Sequence, residues 1–188
     1  MSQERIRSLV ENNPGQASAA EYMLVHGVIA TQAPCNLLVF GVGRDSSLWV
    51  DTNKGGHTVF VEDIKMWADY ARNHVDGITV IDVRYWTIRI MWSFLRFIPS
   101  LLHMRSLPVD ILETEWDVIL VDGPRGTRWY RRGRMMSIYT ASVLAKRSRG
   151  KVFVHDCHRS TEAECSDAFL GADHLVSEVE TMRYYALG

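Results

Sequence analysis

The chain has 188 residues, 47% of them hydrophobic and 23% charged, which is enough for one globular domain with a sizeable core. Its formal net charge of −1 argues against a general nucleic-acid-binding surface. The three cysteines lack paired spacing, which argues against a disulfide framework or a zinc site and favours a reducing compartment.

Two helices are predicted before the first strand, over residues 3–12 and 17–31. Ser18 is placed to cap the second helix, and Glu21, three residues later, would complete a capping box. We therefore expect residues 1–33 to form a helical cap on the domain that follows.

Apolar runs alternate with helical stretches through the rest of the chain. The predicted strands are residues 36–41, 58–62, 78–82, 116–122, 151–156, 173–179 and 182–187. The predicted helices are a segment from Asp45 to near Gly55, then residues 64–74, 134–149 and 161–170. This alternation predicts an α/β fold with a mostly parallel sheet. The last two strands are closely spaced, so we expect them to form an antiparallel hairpin.

Polar residues follow each of the first five predicted strands. They are Gly41, Gly43 and Asp45, then Glu62 and Asp63, then Asp82, then Asp122, and finally His155 and Asp156. Ligands of open α/β sheets bind outside the carboxyl ends of the strands. Asp63 and Asp82 could equally cap helices or face solvent. Taken together, however, so many acids at one edge would repel each other unless they bind something.

The first of these turns suits a cofactor that contains adenosine. Gly41 and Gly43 allow close approach of the backbone, and an acid about 20 residues downstream can accept hydrogen bonds from both ribose hydroxyls. Ser46 stands where a dinucleotide pattern requires glycine or alanine, which favours S-adenosylmethionine, since it has no pyrophosphate to seat. Glu62 should hold the ribose, and Asp82 could face the adenine amino group. The expected cofactor-binding residues are Gly41, Gly43, Asp45, Ser46, Glu62, Asp63 and Asp82.

Methyl transfer from such a cofactor is an in-line displacement, and a hydroxyl acceptor must be aligned and deprotonated. Asp122, His155 and Asp156 are the candidates for taking that proton. His155 could equally be a satisfied histidine that orients Asp156. The acids could hold a divalent ion, but no ligand spacing requires one, so we expect no metal.

An arginine cluster follows the fourth predicted strand, at Arg125, Arg128, Arg131, Arg132 and Arg134. Guanidinium groups bind carboxylates in a bidentate fork, so we favour a carboxylate-bearing substrate over a solvated loop. The expected substrate-binding residues are Arg125, Arg128, Arg134 and Tyr139.

Residues 83–112 form an apolar and basic insert without an acid from 83 to 109. A packed helix, a lid over an apolar pocket, a dimer interface and peripheral contact with a membrane surface all fit this composition. In a helix, Arg89 and Arg96 would share a face, with Trp92 between them. The oligomeric state stays open.

Several motifs together resemble the glucuronoxylan 4-O-methyltransferase family of plant cell-wall enzymes. They lie at residues 34–49, 55–63, 116–124, 133–141 and 154–159, within a match from about Gln16 to Leu187. The resemblance implies a Rossmann-like class I methyltransferase fold, in which the last strand inserts into the sheet. It also implies S-adenosylmethionine as the cofactor and O-4 of glucuronic acid side chains on xylan as the acceptor. Carried over, Gly41, Gly43 and Glu62 would hold the cofactor, and Asp122 with the His155-Asp156 pair would line the reaction centre.

We therefore expect a single S-adenosylmethionine-binding domain over residues 1–188 that acts as an O-methyltransferase on a small or saccharide acceptor. Two alternatives remain: a cyclase that consumes the cofactor and releases methylthioadenosine, and a non-catalytic interaction protein. A nicotinamide oxidoreductase is disfavoured by Ser46 and by the C-terminal hairpin. The sequence has no apolar stretch of about 20 residues and no signal peptide at its polar N-terminus, so we expect a cytoplasmic protein.

Overall fold

The computed structural model describes residues 2–126 and 128–188, except for the side chain of Ser2. Its centre is a seven-stranded sheet in the order β3-β2-β1-β4-β5-β7-β6. The strands are β1 Asn36–Phe40, β2 His57–Glu62, β3 Thr79–Asp82, β4 Val118–Val121, β5 Lys151–Val154, β6 Leu175–Val179 and β7 Met182–Ala186.

The first five strands are parallel, and β7 lies antiparallel between β5 and β6. This arrangement confirms the predicted fold, a mostly parallel seven-stranded α/β sheet whose C-terminal hairpin inserts its last strand. It brings the carboxyl ends of β1, β2, β4 and β5 side by side. The expectation of a single domain stays a prediction.

The helices follow the predicted order along the chain. They are α1 Ser2–Asn12, α2 Ala19–Gln32, α3 Ser46–Thr52, α4 Lys65–His74, α5 Trp92–Leu95, α6 Val109–Glu113, α7 Met135–Ser148 and α8 Ser160–Phe169. Turns of 3-10 helix occur at Arg89–Met91, Pro99–Leu102 and Ala172–His174. In the described part of the chain, no helix is both long and apolar enough to cross a membrane.

Both faces of the sheet are covered, which explains why its strands are continuously apolar. In β1, Leu37 and Val39 face one core with Val25 and Ile29 of α2. Their neighbours Leu38 and Phe40 face the other core, which includes buried residues of α7 and of the insert. The alternation of side chains along a strand thus assigns the N-terminal cap to one face and the insert to the other.

The capping box of α2 is present as predicted. The Glu21 amide donates to Ser18 Oγ at 3.2 Å, and the Ser18 amide donates to Glu21 Oε2 at 2.7 Å. Asp45 precedes α3, but its side chain does not cap that helix and instead accepts a hydrogen bond from Trp49 Nε1 at 3.0 Å.

The insert is a chain of short helical turns rather than one helix. Arg89 turns inward and donates to the Gly126 carbonyl at 2.9 Å. Arg96 is exposed, with its guanidinium 4.8 Å from the centre of the Phe97 ring. The expectation that Arg89 and Arg96 share a face is therefore wrong, because the broken helical path turns them apart.

Candidate functional site

A cavity of about 650 Å³ lies at the carboxyl ends of β1, β2, β4 and β5. Gly41, Glu62, Asp122 and His155, which end or follow these four strands, all line it. Asn12, which ends α1, and residues 13–16, between α1 and α2, form another part of its wall. The volume falls within the range of roughly 300–1,000 Å³ that is usual for small-molecule and cofactor sites.

Most residues predicted for the site lie in this cavity. Those that line it are Gly41, Gly43, Asp45, Glu62, Asp63, Asp122, Arg125, Arg134, His155 and Asp156. Ser46, Asp82, Arg128 and Tyr139 are not among its lining residues.

The four residues outside the cavity have other partners. Ser46 is buried, and its hydroxyl accepts a hydrogen bond from the Gly43 amide at 3.1 Å. Asp82, expected near adenine, is exposed and pairs with Arg72 at 2.6 Å, because β3 is an edge strand that ends away from the glycine turn. Arg128 is exposed and donates to the Tyr130 hydroxyl. Tyr139 packs edge-on against Phe169, with ring centres 5.1 Å apart.

The glycine turn after β1 is held against the loop after β4. Gly41 has a φ of 108°, and a Cβ placed there would come within 2.9 Å of the Gly123 amide nitrogen. Both the backbone conformation and the close approach therefore require glycine. The adjacent Val42 amide donates to Glu62 Oε2 at 2.8 Å, which ties this turn to the end of β2.

Glu62 is buried and accepts two further backbone hydrogen bonds. Its Oε1 receives the amides of Asp63 at 2.9 Å and Ile64 at 2.8 Å. Burial raises the pKa of this carboxyl above its usual value, although the amide hydrogen bonds oppose that effect. Each carboxylate oxygen has two acceptor positions, so Oε2 keeps one for a ligand hydroxyl.

A network of ion pairs joins the ends of β4 and β5. His155 Nδ1 lies 2.7 Å from Asp122 Oδ1, and Arg134 Nη2 lies 3.0 Å from the same oxygen. The same Arg134 nitrogen lies 2.5 Å from Asp156 Oδ2, which also contacts Arg159 Nη1 at 2.8 Å. Arg134 thus lies between two of the predicted catalytic carboxylates and forms an ion pair with each of them.

The network shifts two pKa values in opposite directions. Burial alone would raise the pKa of Asp122, but the hydrogen bond from His155 and the charge of Arg134 outweigh it and lower that pKa. Burial would lower the pKa of His155, but its hydrogen bond to the Asp122 carboxylate raises it overall. Burial, followed by the charge of Asp122, raises the pKa of Asp45 to about 6.

Asp122, His155 and Asp156 also bring ligand atoms within 4.8 Å of one another, close enough to hold a metal ion. The Arg134 guanidinium already contacts both carboxylates, and Arg159 contacts Asp156. These two cations supply the positive charge that a divalent ion would otherwise bring. The donor set alone therefore does not require a metal.

Sequence reasoning assigned Glu21 only to a helix cap. Glu21 Oε1 also accepts two hydrogen bonds from Thr181, one from its backbone amide at 2.9 Å and one from the Thr181 hydroxyl at 2.6 Å. The same oxygen lies 3.7 Å from His155 Nε2. In the sequence, the capping box already accounts for Glu21. Thr181 lies 160 positions away, so no local pattern predicted their contact.

Other cavity residues were also missed, among them Tyr22, Trp67 and Arg159. Arg159 stood within one of the family motifs, which was the available signal. Tyr22 and Trp67 lie on predicted helices, where an aromatic residue usually indicates core packing.

Comparison with known proteins gives a consistent result. A sequence model described as IRX15/IRX15L/GXM matches residues 20–95 and 91–185. Protein IRX15-LIKE of Arabidopsis thaliana is 38% identical over 177 residues, covering 82% of this chain and 56% of the relative. Glucuronoxylan 4-O-methyltransferase 2 of Arabidopsis thaliana is 34% identical over 177 residues, covering 84% of this chain and 61% of the relative. The chain thus spans somewhat over half the length of these relatives.

A solved structure shares the fold at low sequence identity. It is a putative caffeoyl-CoA O-methyltransferase from Staphylococcus aureus, with a TM-score of 0.54 and 11% identity, covering 99% of this chain and 92% of that one. Together with the family match and the relatives, this places the sheet topology among class I methyltransferases. The chain belongs to the IRX15/IRX15L/GXM family.

Proposed function

We propose that the chain is an S-adenosylmethionine-dependent O-methyltransferase acting on a hydroxyl of a saccharide or other small acceptor, with a uronic acid as the favoured class. The observation that carries the proposal is the His155–Asp122 pair at 2.7 Å in the same cavity as the glycine turn and Glu62. The relative named glucuronoxylan 4-O-methyltransferase 2 supports the reaction class and a saccharide acceptor.

The cavity has features that fit this cofactor. Gly41 lets the glycine turn pack closely against the backbone of Gly123 at the cavity wall, and Glu62 keeps an acceptor position for a ribose hydroxyl. Gly41, Gly43 and Glu62 would hold the cofactor, with Asp45 and Asp63 beside them. When bound, it supplies an electrophilic methyl group on a sulfonium.

His155 is the residue that would take the proton of the acceptor hydroxyl. Asp122 binds its Nδ1 and thereby orients the ring, which leaves Nε2 as the basic nitrogen. Arg134 holds Asp122 and Asp156 in place and also donates to the His155 carbonyl at 2.5 Å. Because the pKa of His155 is raised, its basic form increases as the pH rises above the usual histidine range.

The predicted arginine cluster divides into different roles. Arg134 is buried and paired with two carboxylates, so it has little capacity for a substrate. Arg125 lines the cavity, is exposed and takes part in no ion pair with the residues that the structure describes. We therefore assign the acceptor carboxylate to Arg125 rather than to Arg134.

The test is incubation of the pure protein with S-adenosylmethionine, first alone and then with uronic-acid saccharides and small hydroxy acids. Nucleoside products are read by mass spectrometry, with and without EDTA. S-adenosylhomocysteine that forms only with an acceptor, and is lost in His155→Gln, would support the proposal. Methylthioadenosine that forms without acceptor would instead identify the cofactor as the substrate.

A non-catalytic role is the second candidate, because the name of the 38% identical relative, Protein IRX15-LIKE, states no activity. This candidate predicts no nucleoside product with any acceptor. It also predicts that His155→Gln preserves the biological role of the protein, which complementation by this variant would measure.

A further inference from the structure

The helical turns of the insert have two apolar faces. Trp92, Leu95 and Leu102 are buried in the core that lies under the insert. Other apolar side chains of these turns are exposed: Ile90, Phe94, Phe97, Ile98 and Leu101. Phe97 is 72% exposed, and Phe94 is 59% exposed. A helical segment that is apolar on all sides is normally buried on all sides.

The exposed face continues onto neighbouring parts of the chain. The Ile90 amide donates to the Trp129 carbonyl at 3.3 Å, and the Arg89 amide donates to the Arg131 carbonyl at 2.9 Å. These bonds join the insert to the loop after β4, where Trp129 is 65% exposed. We call the combined surface the aromatic patch, formed by Trp86, Ile90, Phe94, Phe97, Ile98, Leu101, Trp129 and Tyr130. Many exposed apolar side chains on joined segments are typical of an interaction site.

Between residues 83 and 109 of the insert, and at residues 128–131 of the neighbouring loop, the exposed charged side chains are basic. They are Arg84, Arg96 and Arg105 of the insert and Arg128 and Arg131 of the neighbouring loop. Arg96 lies over the Phe97 ring, and Arg128 and Arg131 lie 5.9 and 5.7 Å from the centre of the Tyr130 ring. Within residues 2–126 and 128–188, none of the five arginines forms an ion pair. Two exposed acids lie nearby in the chain or the fold: Asp110 near the end of the insert, and Glu164, which accepts a hydrogen bond from Trp92 Nε1.

Three kinds of occupant can be compared. In a symmetric contact with a second copy, the same surface meets itself, which would bring arginines close to arginines. A saccharide stacks on flat rings, but the patch also presents the aliphatic Ile90, Ile98 and Leu101. An anionic membrane surface matches both the apolar side chains and the arginines of the patch. Apolar side chains enter the headgroup boundary, and arginines bind anionic headgroups.

We propose that the aromatic patch docks the chain on the surface of a membrane that contains anionic phospholipids. The patch borders the cavity, because Gly126, whose carbonyl Arg89 binds, lines it. Docking would therefore hold the cavity near the membrane surface. This inference does not depend on the proposed function, because its test measures only binding to lipid.

The test is flotation of the 188-residue protein with vesicles of phosphatidylcholine alone or with about 30% phosphatidylserine. We expect binding to the anionic vesicles that weakens with added salt. Phe94→Ser with Phe97→Ser should reduce the partition coefficient at least tenfold. Arg96→Glu with Arg131→Glu should do the same, because each lost arginine near an anionic surface costs about fivefold.

The matched control is Met66→Ser on α4, which removes a side chain that is 68% exposed but lies outside the patch. It should bind vesicles as the unchanged protein does. All replaced side chains are exposed, so thermal unfolding should show that each variant folds. Absence of binding to anionic vesicles, or equal binding by every variant, would overturn the proposal. So would self-association in sedimentation equilibrium, or retention on a xylan oligosaccharide, that the Phe94 and Phe97 changes abolish while vesicle binding stays the same.

Discussion

Glu62 is the residue at which the fold and the proposed cofactor site meet. Its carboxylate accepts the amides of Val42, Asp63 and Ile64, so it fixes both the glycine turn and the start of the loop after β2. A buried carboxylate with a raised pKa gains from each additional donor. A ligand hydroxyl at this position would therefore bind an acceptor that is already oriented.

Glu62→Gln should weaken S-adenosylmethionine binding by about 1–3 kcal/mol, as expected when hydrogen bonds to a charged group are lost. Isothermal titration calorimetry measures this directly. The matched control is Asp82→Asn, which changes an acid that lies outside the cavity and pairs with Arg72. The affinity of this variant for S-adenosylmethionine should be unchanged. An equal effect of both replacements would remove Glu62 from the cofactor site.

The Asp122–His155 pair should give a distinctive pH dependence of stability. The lowered pKa of Asp122 contributes stability that is present above the usual carboxyl pKa of about 4 and is lost as the pH falls further. The raised pKa of His155 contributes stability that is fully present below about pH 6.5 and is lost as the pH rises through the folded-state pKa. The contribution of the pair is therefore largest between about pH 4 and 6.5.

Asp122→Asn should remove the alkaline part of this dependence, because asparagine cannot hold the imidazolium charge. Each pKa unit by which His155 falls corresponds to about 1.4 kcal/mol. Urea unfolding at several pH values above 6 measures the change. The exposed pair of Asp167 with Arg183 provides the control, since Asp167→Asn should keep the shape of the curve. A variant curve parallel to that of the unchanged protein would show that the pair is not ionised.

At the scale of elements, Glu21 links α2 to the turn between β6 and β7. It completes the capping box with Ser18 and accepts two hydrogen bonds from Thr181. Burial alone would raise the pKa of Glu21, but its hydrogen bonds with Thr181 and Ser18 outweigh that effect and lower the pKa. This carboxylate therefore links the N-terminal cap to the inserted hairpin, and the two also share an apolar core through Tyr22 and Met182.

Glu21→Ala should destabilise the protein by about 2–4 kcal/mol, because it leaves donors on Ser18 and Thr181 unpaired at a buried site. Ser18→Ala removes only the cap and should cost about 1 kcal/mol. Urea unfolding at a fixed pH compares the two variants. Equal losses would mean that the contact with Thr181 contributes nothing beyond the cap.

The sequence predicts elements well where the signal is local. Apolar runs marked all seven strands, and the polar residues at their ends indicated the edge where the cavity lies. The position of Asp82 was not predictable, because it depends on β3 being an edge strand and on its partner Arg72. Arg134 looked like its neighbours in the arginine cluster, yet it is buried and pairs with Asp122 after β4 and with Asp156 after β5. The positions of Asp82 and Arg134 thus depend on contacts between segments that are distant in the sequence.

At the scale of the whole molecule, the cavity is built from parts that are far apart in sequence. Asn13 comes from the N-terminal cap, Gly41 and Glu62 from the first two strands, and Asp122 and His155 from β4 and β5. A ligand that contacts several of these parts favours the folded state over the unfolded state, in which they are separated. Binding should therefore appear as global stabilisation.

We expect S-adenosylmethionine at about 100 times its Kd to stabilise the fold by about 2.7 kcal/mol. For a chain of this size, that corresponds to a rise in Tm of roughly 5–11 °C, which differential scanning calorimetry measures. Asp82→Asn should show the same rise, and Glu62→Gln should show a smaller rise at the same ligand concentration. A Tm that is unchanged at millimolar S-adenosylmethionine would contradict the proposed cofactor, because a ligand that binds the folded chain selectively must raise its stability.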